Sequence, residues 1–204
     1  MKTRNLLLSL FAGFFLAACA SLFPPPVPSV TLFDLGADSL PESGFDASRR
    51  AWLFELRAVP GLQSPAMRYR LEYAAPAGSA QVFAYAESQW SNPPAEILRR
   101  RLEGALSWPA GTEDRCELFL HLQRFEQVFP APDESYGILS LKARLWNRGK
   151  NRLEDEAQFT QKIPAPTPDA AGGVTALAEG AKRLAQDLRQ WRETGRDKQK
   201  ACWL

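Results

Sequence analysis

Apolar positions along the chain change period several times, and these changes mark out its elements. Ala51 to Arg57 and Arg68 to Tyr73 are strand-length runs, and a Pro/Gly turn from Ala75 to Ala80 leads to a third run, Gln81 to Glu87. There Phe83 and Tyr85 alternate with small neighbours, as on a strand. From Ile97 the period becomes helical, with Leu98, Leu102, Ala105 and Leu106 on one face, and Ser91-Asn92-Pro93-Pro94 marks the switch. Asn92 or Ser91 can cap this helix, and a proline in its first turn forfeits no bond the helix needed. The pattern predicts a helix from Pro94 to Ser107, ended by Trp108-Pro109.

Three strand candidates follow. Leu118, Leu120 and Leu122 alternate with Phe119, His121 and Gln123, and the run continues through Arg124 to Phe129. Leu139, Leu141, Ala143 and Leu145 share a face of the next strand, and Ala157, Phe159, Gln161 and Ile163 complete a meander. Asn147 to Asn151 reads as the hairpin turn between them, with Gly149 able to take positive φ. After a proline-rich connection, Asp169 opens a last helix whose stripe of Val174, Leu177, Ala181, Leu184, Ala185, Leu188 and Trp191 must pack on a sheet. Arg192 onward is charged and is expected to fray. The expected fold is a single α/β domain, a mixed and mostly antiparallel sheet of about five strands with two helices packed on it.

The first residues belong to a different class. Lys2 and Arg4 precede a short apolar run, Leu6 to Ala18, that is too short to span a bilayer and ends in small residues, as a secretory signal does. The order Leu16-Ala17-Ala18-Cys19 matches the bacterial lipobox, with cleavage between Ala18 and Cys19 and acylation, palmitate included, at Cys19. The plainer alternative is an ordinary cleaved signal followed by an incidental cysteine. This divides the chain into a signal peptide (1–18), a lipidated proline-rich tether (19–29), a domain (30–191) and a charged tail (192–204). Pro24-Pro25-Pro26 and Pro28 make the tether an extended, semi-stiff spacer.

Composition narrows the function classes. With 25 Lys and Arg against 23 Asp and Glu there is no electrostatic case for a nucleic-acid partner. No acid, base and nucleophile set can be assembled, so no enzyme activity is expected. His121 is the single histidine and reads as a solvated or partner-facing side chain; no metal set and no phosphate loop is present, since Gly172-Gly173 lacks a following Lys-Ser/Thr. No cofactor is expected. Arg99-Arg100-Arg101 has Glu96 and Glu103 one turn away, which favours a paired, solvated face. Cys116 and Cys202 are a candidate disulfide that would close a loop of about ninety residues and add up to ~4 kcal/mol, while a buried Cys116 with a free Cys202 fits equally well. Trp90 reads first as a core anchor at the helix entry and second as a partner contact. Phe119, Phe125, Phe129 and Trp146 are aromatics that core packing does not obviously require, and Phe119 lies opposite the leucines of its strand. Phe119 and Phe125 are therefore candidate partner contacts, with self-assembly first and lipid contact second; cover by loops or by the segment from Val30 is the bland alternative.

Several stretches together resemble a known family. Tyr85, Trp90, Pro93-Pro94, Leu98, Leu102 and Leu106, with Met67, Tyr69 and Arg70, the Arg124-Phe125-Glu126 stretch, the opening Val30 to Gly36 and the lipobox, are similar to the ABC-type transport auxiliary lipoproteins, the PqiC-like partners of MCE-type intermembrane transport systems. That resemblance implies an accessory lipoprotein, with Ala20 and Ser21 after the cysteine favouring the outer membrane and the domain facing the periplasm. It further implies docking to an MCE-domain protein served by an ABC transporter, homo-oligomer formation as a candidate, and hydrophobic cargo. The competing reading is a stand-alone lipid- or cell-wall-binding lipoprotein.

Overall fold

The computed structural model describes residues 29–36, 54–74, 76, 81–105 and 116–197. The signal, the tether as far as Pro28, the Ala18 to Cys19 cleavage site, Trp108 and Cys202 lie outside these residues. The elements are β1 (Thr31–Phe33), β2 (Phe54–Ala58), a 3-10 turn (Pro60–Leu62), β3 (Ala66–Leu71), β4 (Val82–Trp90), α1 (Pro94–Ala105), β5 (Cys116–Ala131), β6 (Glu134–Asn147), β7 (Arg152–Pro164) and α2 (Ala170–Asp197). Among the described residues the sheet has seven strands in the order β1-β4-β3-β5-β6-β7, with β2 also on β5.

The expected single α/β domain with two helices is found, but the sheet is larger and less antiparallel than expected. β3–β4, β5–β6 and β6–β7 are antiparallel, whereas β1–β4, β2–β5 and β3–β5 are parallel. The parallel pairs arise because β3 reaches β5 only after β4 and α1, a crossover that returns the chain in the same direction. β2 and β3 occupy successive lengths of one side of β5, opposite Leu118–Leu122 and Gln127–Phe129, and the turn at Pro60–Leu62 separates them.

The core lies between one face of this sheet and the two helices. α1 contributes Ile97, Leu98 and Leu102, and α2 contributes Leu177, Ala181, Leu184, Ala185 and Leu188, all buried as the helical stripe requires. β5 meets them with Leu118, Leu120 and Leu122, then inserts one extra residue at Gln123: Leu122 pairs with Leu141 but Arg124 with Ser140. This bulge reverses the alternation, so Phe125 joins the leucines on the helix side. At the β6–β7 hairpin, Asn147 accepts a hydrogen bond from the Lys150 amide and donates one to Glu154. The left-handed backbone there falls on Asn151, at φ 48°, in place of the expected Gly149.

Both helix starts are held by contacts the sequence only half revealed. At α1 neither Ser91 nor Asn92 caps the helix: the Pro93 carbonyl accepts from the amides of Glu96 and Ile97, and the Ser91 hydroxyl donates to Asp34. At α2 the Asp169 carboxylate accepts from the Gly172 amide and the Thr167 hydroxyl, each at 2.8 Å. Gly172 and Gly173 serve close packing. A Cβ on Gly172 would stand 2.0 Å from the Thr167 carbonyl oxygen, and one on Gly173 would stand 2.2 Å from Gln127 Oε1. α2 also runs on to Asp197, past the point where fraying was expected.

Two predictions follow from α2. Gly172→Ala meets a fixed carbonyl and should destabilise by ~1–3 kcal/mol, whereas at Gly180 the new methyl would find neighbours at 3.6 Å and the substitution should stabilise by up to ~1 kcal/mol. Equilibrium denaturation of both variants checks the pair, and equal effects would contradict the packing. The Gly172 amide, then the Thr167 hydroxyl, hold the Asp169 carboxyl below its usual range. Its contribution is therefore present above the unfolded value of about 3.9 and is lost as pH falls through the folded value. Asp169→Ala should cost ~0.5–2 kcal/mol near neutrality, with the gap to the native protein closing below about pH 4; a gap independent of pH would contradict the cap.

Candidate functional site

The sheet face turned away from the helices carries the residues that packing leaves over. Phe119 on β5 stands opposite Glu55 of β2 and Arg144 of β6, and Trp146 stands opposite Glu117 and Leu153. Phe119 and Trp146 are half-buried, while Leu153 is 44% exposed. Phe119 borders two open depressions. One of about 460 Å³ is completed by Trp146, Leu153, Arg144, Glu117 and Glu156, and one of about 240 Å³ by His121, Arg57, Lys142 and neighbouring side chains.

Charges ring this apolar centre in pairs. Glu156 takes Lys142 and Arg144, each at 2.7 Å, and these cations hold its carboxyl below the usual range, Lys142 first. Arg148 pairs with Glu117 at 2.5 Å, and Arg57 with Glu55 at 2.5 Å. Exposed pairs of this kind add little to folding. An apolar centre inside a polar rim of both signs is instead how recognition surfaces are built, the centre supplying affinity and the rim register. His121 lies between Arg57 and Lys142 in the sheet register. Those cations oppose a metal ion there.

Two of the expected contact residues belong elsewhere. Trp90 and Phe125 are 2% and 1% exposed and pack edge to face with ring centroids 5.2 Å apart, so neither is available to a partner. The bulge at Gln123 is the reason for Phe125, which simple alternation would put beside Phe119. The Trp90 amide donates to Pro65, and its ring fills the corner where β4 turns into α1. Phe129 is likewise mostly buried, edge-on to Tyr69. Leu153 was missed because a bulge at Glu154 shifts the end of β7; its place two residues beyond the turn, across from Trp146, was the available signal.

The three consecutive arginines each have a distinct task. Arg99 bonds both Glu96 and Glu103, Arg100 lies 3.7 Å from Asp34, and Arg101 donates to the carbonyls of Leu35 and Gly36. α1 thereby grips the segment that follows β1. Cys116, 5% exposed, is disulfide-bonded; the other cysteines, Cys19 and Cys202, lie outside the described residues.

A second aromatic group lies on β3 and β4, on the helix side of the sheet. Tyr69 stacks on Phe83 at 5.4 Å, lies 4.7 Å from Tyr85 and meets the edge of Phe129 at 5.8 Å. The Tyr85 hydroxyl donates to Gln127 at 2.9 Å, and burial, then Tyr69 and Asp169, push its pKa well above the usual phenol range.

No family model and no curated protein matches the chain in sequence. Solved structures do match its fold. Protein XCC0632 from Xanthomonas campestris, a DUF330 protein, aligns at a TM-score of 0.59 and 20% identity over 72% of this chain and 85% of its own. An uncharacterized protein aligns at 0.58 and 15% identity over 79% of this chain and 97% of its own. The mixed sheet with two helices on one face is thus similar to the fold of a DUF330 protein.

Proposed function

We propose that this chain is a lipid-anchored accessory subunit of an MCE/ABC-type intermembrane transport system. It faces the periplasm from the outer membrane and acts by docking and assembly, with no catalytic chemistry of its own. The observation that carries the reading is the bare sheet face: an apolar centre of Phe119, Trp146 and Leu153 inside a rim of paired charges, on the side the helices leave uncovered. The lipobox at Leu16 to Cys19 and the family motifs around Trp90 supply the compartment and the transport context. Among the described residues no helix is long and apolar enough to cross a membrane. The DUF330 fold likeness agrees with this reading.

A second copy of the chain is the first occupant for this face, and the MCE-domain protein the second. The open volume of about 460 Å³ beside Trp146 also suits a lipid chain, which keeps stand-alone lipid binding as the alternative function.

Replacing Phe119 and Trp146 by Ser together in the full-length detergent-solubilised protein tests the assignment. The expected result is a smaller particle mass at an unchanged melting temperature. Unchanged mass would remove self-assembly from this face, and loss of folding would return both rings to the core.

A further inference from the structure

Strand register sets the residues of the helix-free face in rows, and the rows differ in charge. Glu117, Trp146 and Leu153 stand side by side across β5, β6 and β7, and Glu55, Phe119, Arg144 and Glu156 form the next row, from β2 to β7. Arg57, His121, Lys142 and Gln158 follow, and after them Arg124, Ser140 and Thr160. The first two rows hold the apolar centre and three carboxylates. The last two hold three cations, a histidine and no carboxylate.

The neutral polar groups of these last rows satisfy one another. Gln158 donates to Gln123 at 2.6 Å and to Ser140 at 2.9 Å, and the hydroxyls of Ser140 and Thr160 lie 3.1 Å apart. Arg57, Lys142 and Arg124 reach carboxylates only in neighbouring rows. That pairing leaves positive charge over, because Glu156 is shared by Lys142 and Arg144, and Glu126 by Arg70 and Arg124. Two carboxylates thus answer four cations. Arg57 keeps 75% of its side chain exposed, and His121 beside it is exposed as well.

The face is therefore banded, with an apolar patch and, two residues or about 7 Å further along the strands, a cationic band. A surface complementary to both carries apolar side chains and, at the next alternate position of an extended segment, acidic ones. A second copy meeting this face with the same face does not supply them. Its Glu55, Glu117, Glu126 and Glu156 are each bonded to a cation of their own chain. From Arg57 to Lys142 the band also spans two strand spacings, about 10 Å, which is wider than one lipid phosphate fills.

We propose that this band takes acidic side chains of a protein other than a second copy, one whose apolar residues cover Phe119, Trp146 and Leu153. The inference rests on the docking reading of this face and names the chemistry of its occupant. Opposite charge at the band speeds encounter and fixes register, and like charge there turns wrong partners away.

The test uses the full-length protein in the membranes of the cells that produce it. The photo-crosslinking residue benzoylphenylalanine replaces Trp146, and the adducts formed on illumination are identified by mass spectrometry. The expected adduct joins this chain to a different protein, at a segment with Asp or Glu within a few residues of the attachment point. Its yield should fall several-fold when Arg57→Glu and His121→Glu are added, and several-fold at high ionic strength with the band left intact. The salt comparison stands even where the charge-reversed variant does not fold. A protein adduct indifferent to salt and to charge reversal, or attached at a segment without acidic residues, overturns this inference and leaves docking standing. Adducts to a second copy or to phospholipid alone overturn it as well. No adduct at all overturns the docking reading together with it.

Discussion

The structure depends on the ability of one long strand to change faces. β5 pairs with β6 along its whole length and with β2 and β3 in turn on its other side. A strand of 16 residues that kept strict alternation would carry either its leucines or Phe125 to the helices, but not both. The single extra residue at Gln123 resolves this conflict, so that Leu118, Leu120, Leu122 and Phe125 form one core with Trp90 and the helical stripes. The helix-free face correspondingly changes from aromatic and basic at Phe119 and His121 to the charged cluster where Glu126 binds Arg70 and Arg124.

Uncovered on that face, the sheet carries an apolar surface. Phe119, Trp146 and Leu153 sit among fixed ion pairs, which suits a folded partner because wrong registers bring like charges together. Arg100 and Arg101 of α1 hold Asp34, Leu35 and Gly36 and so fix the segment that follows β1.

Much of the fold was legible because its elements are long and periodic. The stripe of α2, the β5–β6–β7 meander and the switch at Trp90 to Pro94 could be read from spacing alone. What could not be read were features set by single residues acting through tertiary contacts. Nothing local to Gln123 announces a bulge, so Phe125 was assigned to the wrong face, and a three-residue strand such as β1 is too short for any period to show. The cap at α1 was misplaced for a similar reason: Ser91 and Asn92 have the right chemistry, but Asp34, far earlier in the chain, competes for the Ser91 hydroxyl. Of the candidate site, Phe119 was found by its alternation with leucines, Leu153 was not, and Trp90 was correctly weighed first as a core anchor.

The central claim is that this protein works by surface recognition within a transport assembly, and co-purification measures it most directly. Tagged full-length protein would be isolated from membranes after mild cross-linking, beside a variant carrying Phe119→Ser and Trp146→Ser, and the accompanying proteins identified. The account predicts an MCE-domain protein, with its permease and ATPase, in the native sample and its depletion from the variant. Recovery of the native protein without any such component, or with the same components undiminished in the variant, would contradict it.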